Sequence, residues 1–503
     1  MTRDLYDARP YTEHAYAETH PARVAAVARL ARWDPPPVAS ARILELGCGR
    51  GGNLLPMAAG LPEATLVGVD GSARQIDDAR RIARETKLAN VTFEHASFDA
   101  MDVAQGSFDY VLAHGVLSWI PPAARAGLLA IVTRALRGRG VACVSFNVLP
   151  GGYDRLAARD WLRFAASSLG RPIEEAGASL AWLGAQLSLE HAGARRALDA
   201  VATRLAETGA DYAFHEYLAP WHHPLLVGDF LREAQAAGLG YLGDALPATV
   251  ALELLPEPAR QQALGLDPIA AQQLVDFVRH TSFRRALLVR TDAGADAKPS
   301  AALDPEALAG LRVASRLRAR GAAAPVALQE SFAEGESVVQ VSDPAARRAL
   351  HHLAKAAPRT LAFGDIAGVA LPADAPATAR RELASELFDL AIATGALDLY
   401  DHDLAVRSEA PARPVACPVA RWHAQHGGVV TSRLHHEVLV PDAIVRWVLA
   451  RLDGTRTPRD LAREARSLDA SAALTDAELG GLVKASVDRL VACGLVVGDG
   501  APD

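Results

Sequence analysis

The chemistry legible in this chain begins with a carboxylate placed two residues ahead of a glycine-rich turn. Residues 41 to 53 run as an apolar strand into Glu45-x-Gly47-x-Gly49, followed by Gly51, Gly52 and Asn53 and then a helical span. Glycines in such a turn take positive φ and carry no Cβ, so backbone can approach a nucleoside, while the emerging helix offers free N–H groups at its start. Gly47, Gly49 and Gly52 also satisfy the bare dinucleotide pattern, so glycine spacing alone leaves a nicotinamide cofactor open. Glu45 shifts the balance. A carboxylate here repels a pyrophosphate and attracts the cationic amino-acid end of S-adenosylmethionine. The competing reading is an acidic residue that merely ends a strand.

A second carboxylate, Asp70, closes the apolar run 66–69 just before Gly71. It falls about 20 residues beyond the first glycine, where carboxylates accept from ribose hydroxyls; the alternative is an N-cap for the helix starting near Ser72. Ser97 and Phe98 end a third apolar run and suit hydrogen bonding and packing against an adenine, although Phe98 fits ordinary core equally. His114 stands at the C-terminal end of a fourth run, where open α/β sheets place ligands; a structural histidine is the other reading. Upstream, Tyr6, Tyr11 and Tyr16 precede Thr19-His20-Pro21. They read either as a lid over the crevice or as packing for the next helix, which Thr19 would cap with Pro21 in its first turn.

The apolar runs 41–46, 66–70, 91–98, 108–114 and 140–147 alternate with helical spans. That alternation predicts an α/β, Rossmann-like parallel sheet covered on both faces. A helical hairpin is expected over 153–213, shaping a substrate pocket or a dimer face, and Gly240-Tyr241-Leu242 and Phe283–Arg290 supply two further strands of the same sheet. The catalytic unit is then 1–291, with a linker-like stretch at 292–305. Two small winged-helix-like units follow, a middle one over 306–405 and a C-terminal one over 415–503, in which a helix reaches a Gly454 C-cap and Thr457-Pro458 opens the next.

Length and charge bound the partners. At 503 residues the chain needs several domains. With 52 Lys+Arg against 59 Asp+Glu, a formal charge of −7 and no basic run, nucleic acid is disfavoured as a partner. Four single cysteines fit reduced thiols in a cytoplasm. The histidine pairs at 222, 351 and 435 put neighbours on opposite faces of a strand, so no metal site is expected. No signal pattern opens the chain, and no apolar stretch approaches the roughly 20 residues that cross a bilayer. The expectation is a soluble, cytoplasmic protein without a membrane partner.

More specific marks are Tyr6-Asp7 with Pro10-Tyr11 and Thr19-His20-Pro21; Glu45-Leu46-Gly47-Cys48-Gly49 with Gly51-Gly52-Asn53; Ala113-His114-Gly115-Val116 with Ser118-Trp119; Asn147 with Pro150-Gly151; His215-Glu216-Tyr217-Leu218; and Phe283-Arg284-Arg285. On these residues nearly the full length resembles the class I S-adenosylmethionine-dependent methyltransferases. Within them it resembles the bacterial family with a methyltransferase regulatory domain, which includes protein-lysine methyltransferases acting on bacterial surface proteins. The resemblance implies a regulatory-domain region at 214–291. It also implies a cofactor site drawn from Tyr6, Glu45, Gly47, Gly49, Asn53, Asp70, Gly71, Ser97, Phe98 and His114. The family commonly has an acidic residue where this chain has Arg50, Asp where it has Ser97, and Tyr where it has Leu117 and Leu149. The two missing aromatics fall on loops where an acceptor would enter. The stretch 452–457 is also similar to small winged-helix domains that hold peptides in natural-product maturation.

Methyl transfer from a sulfonium is an in-line displacement that rests largely on near-attack geometry. An amine acceptor needs only to lose its proton, which a dry pocket promotes, whereas a hydroxyl or amide needs a positioned base. His114, Asn147 and Tyr11 are the first candidates beside the transferred methyl, with His215 and Glu216 next. Two accessory units suit a protein or peptide acceptor. The rivals are a small-molecule methyltransferase whose C-terminal units make a homodimer, and a non-catalytic cofactor sensor or scaffold.

Overall fold

The computed structural model describes residues 7, 9, 11–98, 101–293, 303–320, 329–468 and 473–500. Its first half is organised by β1 (Arg42–Leu46), β2 (Thr65–Asp70), β3 (Val91–His95), β4 (Phe108–Ala113), β5 (Leu136–Asn147), β6 (Leu239–Asp244) and β7 (Phe283–Arg290). These form one sheet in the order β3-β2-β1-β4-β5-β7-β6. The first five strands pair in parallel, and β7 runs antiparallel to both β5 and β6. Strand β4 is buried along its whole length, as expected for a near-continuous apolar run covered on both faces.

One face carries α1 (Pro21–Leu30), α2 (Leu54–Gly60) and α3 (Ala73–Glu85); the other carries α4 (Pro122–Ala135) and α8 (Val227–Ala236). Thr19 does not cap α1. His20 does, its Nδ1 accepting from the Ala22 N–H at 3.2 Å, while the Thr19 hydroxyl donates to the Tyr16 carbonyl at 2.8 Å. Pro21 occupies the first helical turn as expected.

The segment after β5 is longer and richer than the expected hairpin. It comprises three helices, α5 (Gly152–Ser168), α6 (Ala176–Gln186) and α7 (Ala192–Tyr217), around a core of their own. Helix α7 runs past 213 because nothing in Phe214-His215-Glu216-Tyr217 breaks a helix, and it thereby carries His215 and Glu216 to the crevice. Below β7, α10 (Pro268–Arg279) anchors a fully buried Arg284, which bonds Asp276 at 2.7 Å and Gln272 at 3.0 Å.

The middle unit holds the three-stranded sheet of β8 (Arg312–Ser315), β12 (Leu361–Ala362) and β13 (Leu397–Tyr400), with α11 (Pro344–Ala356), α12 (Phe363–Ala370) and α13 (Ala377–Thr394). A second small sheet, of β9 (Arg318–Ala319), β10 (Glu330–Glu334) and β11 (Ser337–Val341), was not foreseen. In the C-terminal unit, β14 (Pro414–Ala416) pairs antiparallel with β17 (Val496–Asp499) around α14 (Pro418–His426), α15 (Ala443–Arg451), α16 (Pro458–Ala465) and α17 (Asp476–Ala492). Helix α15 stops at Arg451, short of Gly454, whose positive φ serves the following turn instead. Thr457 caps α16 in a reciprocal box with Asp460.

This last unit is not a separate bead. Its apolar residues, from Ala416 to Val496, join the core that runs under β1 and α3. Polar ties cross the same boundary: Trp422 Nε1 donates to Glu85 at 2.6 Å and Arg433 donates to the Ala59 carbonyl at 2.6 Å. Among the described residues no helix is long and apolar enough to cross a membrane.

Candidate active site

The C-terminal ends of β1, β2, β4 and β5 open into one crevice of about 1370 Å³, larger than the roughly 300–1,000 Å³ of ordinary small-ligand pockets. Glu45, Gly47, Gly49, Asn53, Asp70, Gly71, Ser97, Phe98, His114, Asn147, Tyr11, His215 and Glu216 all line it. Tyr6 lies outside the described residues.

At one end the turn after β1 is held by its own backbone. Gly47 sits at φ +75°, donates to the Val69 carbonyl at 2.8 Å, and has no room for a Cβ, which would meet Val116 Cγ2 at 2.5 Å. Gly49 donates to Asp70 Oδ2 at 2.9 Å, and the Ser72 N–H donates to Asp70 Oδ1 at 2.8 Å. Asp70 thus ties the turn to the end of β2 with its carboxylate beside the cavity. The helix cap is Ser72, which accepts from the Gln75 N–H at 3.2 Å. Beyond Asp70 the wall continues through Ala96, Ser97 and Phe98, and the space above Gly71 is open.

Glu45 is buried, with Oε1 accepting from Asn53 Nδ2 at 2.7 Å and Oε2 lacking any hydrogen-bond partner. Burial pushes its carboxyl up to about 8, the Asn53 bond opposing and the Asp70 charge adding to the rise. A buried carboxylate that lines the crevice and has one oxygen without a partner fits a ligand ammonium group. Among the described residues no cation pairs with Glu45.

At the other end His114 stacks under Tyr16, ring centroids 3.6 Å apart, and meets the edge of Phe283 at 5.6 Å. Burial lowers His114 to about 3, so its ring is neutral near pH 7, and Nδ1 is sealed off without a partner. Asn147 is fixed by its N–H, which donates to Ser118 Oγ at 2.8 Å. Tyr11 lies edge-on to His215 at 5.3 Å. Glu216 is ion-paired with Arg155 of α5, so its carboxylate is engaged rather than free. The inserted helices therefore form part of the crevice wall.

Several lining residues lie outside the candidate catalytic and cofactor residues, among them Tyr16, Arg155, Arg285 and Glu437. Tyr16 belonged to the leading tyrosine segment and Arg285 to the Phe283-Arg284-Arg285 mark, so both carried a signal. Glu437 carried none. It arrives from the C-terminal unit, accepting from the Ala15 N–H at 3.0 Å and pairing with His14 at 2.9 Å.

Three family models match the chain: a methyltransferase domain at residues 43–140, a predicted methyltransferase regulatory domain at 209–290, and the C-terminal winged helix domain of PKMT at 412–480. The chain carries a methyltransferase domain. That match spans β1 to the start of β5, the regulatory-domain match takes in β6 and β7, and the winged-helix match includes Glu437. Among relatives, uncharacterized protein RP789 of Rickettsia prowazekii is 34% identical over 291 residues, 57% of this chain and 53% of its own. The trans-aconitate 2-methyltransferase of Methylobacterium nodulans is 34% identical over 139 residues, 28% of this chain and 48% of its own. The chain thus spans about half the length of these relatives. PKMT2 of Rickettsia typhi, solved in complex with AdoHcy, shares the fold at a TM-score of 0.86 and 22% identity over 97% of this chain and 100% of that one.

Proposed function

We propose that this protein transfers a methyl group from S-adenosylmethionine, by direct in-line displacement, to an amine of a protein or peptide. The observation that carries the reading is the make-up of the crevice. It runs from Glu45 and Asp70 past His114 to a mouth walled by Arg155, Tyr212 and Glu216 of the inserted helices and by Glu437 of the winged helix. Its volume exceeds what a nucleoside cofactor alone fills, and its outer walls come from units that a metabolite methyltransferase does not require. The shared fold of PKMT2 extends over those units as well.

When bound, S-adenosylmethionine supplies an electrophilic methyl group. Glu45 holds the ammonium of its amino-acid end, Asp70 the ribose, and Ser97 and Phe98 the adenine. Tyr16, His114 and Phe283 form an aromatic wall that excludes water, and desolvation there favours the neutral, nucleophilic form of an acceptor amine. His114 and Asn147 offer hydrogen-bonding groups to that amine, with Tyr11 and His215 beside them. Glu216, neutralised by Arg155, shapes the mouth.

The test is incubation of the full chain with methyl-labelled S-adenosylmethionine and native lysate, followed by separation into protein, peptide and small-molecule fractions. Label in protein, recovered as methylated lysine or a methylated N-terminus after hydrolysis, is the expected result. Label confined to small molecules refutes the protein acceptor, and absence of transfer despite cofactor binding refutes catalysis.

A further inference from the structure

Three consecutive residues of the C-terminal unit reach three different parts of the chain. They lie between β15 (Val430–Thr431) and β16 (Glu437–Val438) and on the first residue of β16. His436 Nε2 pairs with Asp398 of β13 at 2.8 Å, where Arg23 of α1 also bonds at 2.7 Å. Glu437 holds the segment 14–15 over the crevice. His435, 1% exposed and at φ +66°, turns inward and meets Asn53 Oδ1 at 2.8 Å through Nε2. An L residue rarely adopts that φ. Here the turn is closed by the His435 N–H donating to the Ser432 carbonyl at 2.9 Å and the His436 N–H donating to Ser432 Oγ at 3.1 Å.

The contact adds a second donor to the one amide orientation of Asn53 that the Tyr16 N–H selects. Its Oδ1 already accepts from the Tyr16 N–H at 3.0 Å, so the second approach, from His435, must also be a donor: the neutral Nε2–H tautomer. With two donors on Oδ1, the Nδ2 group points at Glu45 Oε1, 2.7 Å away, and at Thr19 Oγ1, 3.0 Å away. The flipped amide would set its NH₂ against two N–H donors and its oxygen against the Glu45 carboxylate.

We infer that His435 is a positioning residue of the cofactor site: from the winged helix it locks Asn53, and through Asn53 it orients the Glu45 carboxylate to receive the cofactor's ammonium group. The inference rests on the S-adenosylmethionine reading of the crevice. Glu45 is faced by Asp70, Tyr16 and Cys48. His435 is faced by His20, His436, Glu18 and Arg23. Burial lowers His435 to about 3, which keeps it neutral and donating through Nε2 across the physiological range.

The experiment is calorimetric titration of the full chain with S-adenosylhomocysteine from pH 6 to 8.5. It compares wild type with His435→Ala, His435→Phe, His435→Gln, Glu45→Gln and the Glu45→Gln/His435→Ala double variant. Phenylalanine fills the space without a donor; glutamine keeps one. Whichever of the alanine and phenylalanine variants retains the wild-type circular dichroism spectrum carries the comparison. The expected result is binding weakened about tenfold at pH 7 without the donor, with the pH midpoint of binding moved upward because the Asn53 bond that holds the Glu45 carboxyl down is loosened. Glutamine restores both, and in the Glu45→Gln background loss of His435 changes nothing further. Wild-type affinity in the donor-less variants, an unmoved midpoint, or an equal loss in the Glu45→Gln background overturns the inference. A wild-type chain that binds no S-adenosylhomocysteine overturns the cofactor reading itself, a distinct outcome.

Discussion

Cofactor binding should be coupled to loss of a proton from Glu45, and the size of the coupling follows from the geometry. In the empty site burial holds this carboxyl at about 8, with Oε2 lacking any partner. At pH 7 roughly nine in ten empty sites are therefore neutral at Glu45. A ligand ammonium favours the carboxylate, so the affinity of S-adenosylhomocysteine rises about tenfold per pH unit below 8, equivalent to about 1.4 kcal/mol, and levels off above it. Between pH 6 and pH 8 the rise is roughly 50-fold. The stability of the free protein changes with the opposite sign: because the folded-state value lies above the ordinary 4.5, this group removes stability from it as pH rises from about 4.5 to 8. Ligand restores it, so the thermal shift it produces should grow over that window. Calorimetry at pH 6.5 in two buffers of different ionisation enthalpy should register close to one proton released per ligand bound, and Glu45→Gln should abolish both the release and the pH slope. An affinity flat from pH 6 to 8, with no proton released, would refute the assignment of Glu45 to the ammonium group.

Asp70→Ala removes the tie between the β1 turn and β2 as well as the ribose acceptor. It should weaken S-adenosylhomocysteine binding by about 1–3 kcal/mol in calorimetry, and unchanged affinity would count against the site. Tyr16→Ala uncovers the His114 ring. The histidine titration followed by NMR should move up from about 3 toward the ordinary 6.5, with turnover falling at least about tenfold near neutrality; an unmoved titration would show that the stack does not set the His114 environment. Arg155→Met leaves Glu216 buried without its partner, which should cost about 1–3 kcal/mol in denaturant unfolding while leaving cofactor affinity intact.

The sheet and the cofactor end of the crevice were legible because their signals are local. Glu45, Gly47, Gly49 and Asp70 lie within two strand-turn units, and the positive φ that such a turn needs is visible as glycine. The helix caps were less legible. Thr19 and His20 are adjacent, and the histidine won because the Thr19 hydroxyl is taken by the Tyr16 carbonyl. The third inserted helix was missed because the apolar spacing over 153–213 was assigned to only two helices. Nothing local to residues 430–438 announces a crevice. Glu437 and His435 act through partners 422 and 382 positions away, separations at which composition and periodicity are silent.

That long-range closure changes what the accessory unit is for. Were the winged helix only a docking platform, its contacts to the methyltransferase domain would be confined to surface. Instead its apolar side chains share the core beneath β1, and His423 pairs with Glu13 at 3.0 Å while Glu13 also meets Arg50 of the glycine turn at 3.3 Å. The leading segment 11–20 is thereby clamped between sheet and winged helix, and Tyr11 and Tyr16 become a fixed wall rather than a free lid. Arg50, which stands where the resembling family commonly has an acidic residue, is explained by the same clamp. Its guanidinium bridges Glu13 of the segment and Asp78 of α3, the latter at 3.1 Å. A carboxylate at that position would face two others. The departure from the family pattern is therefore a compensated change in how the segment is held, and it leaves the Glu45 and Asp70 carboxylates untouched.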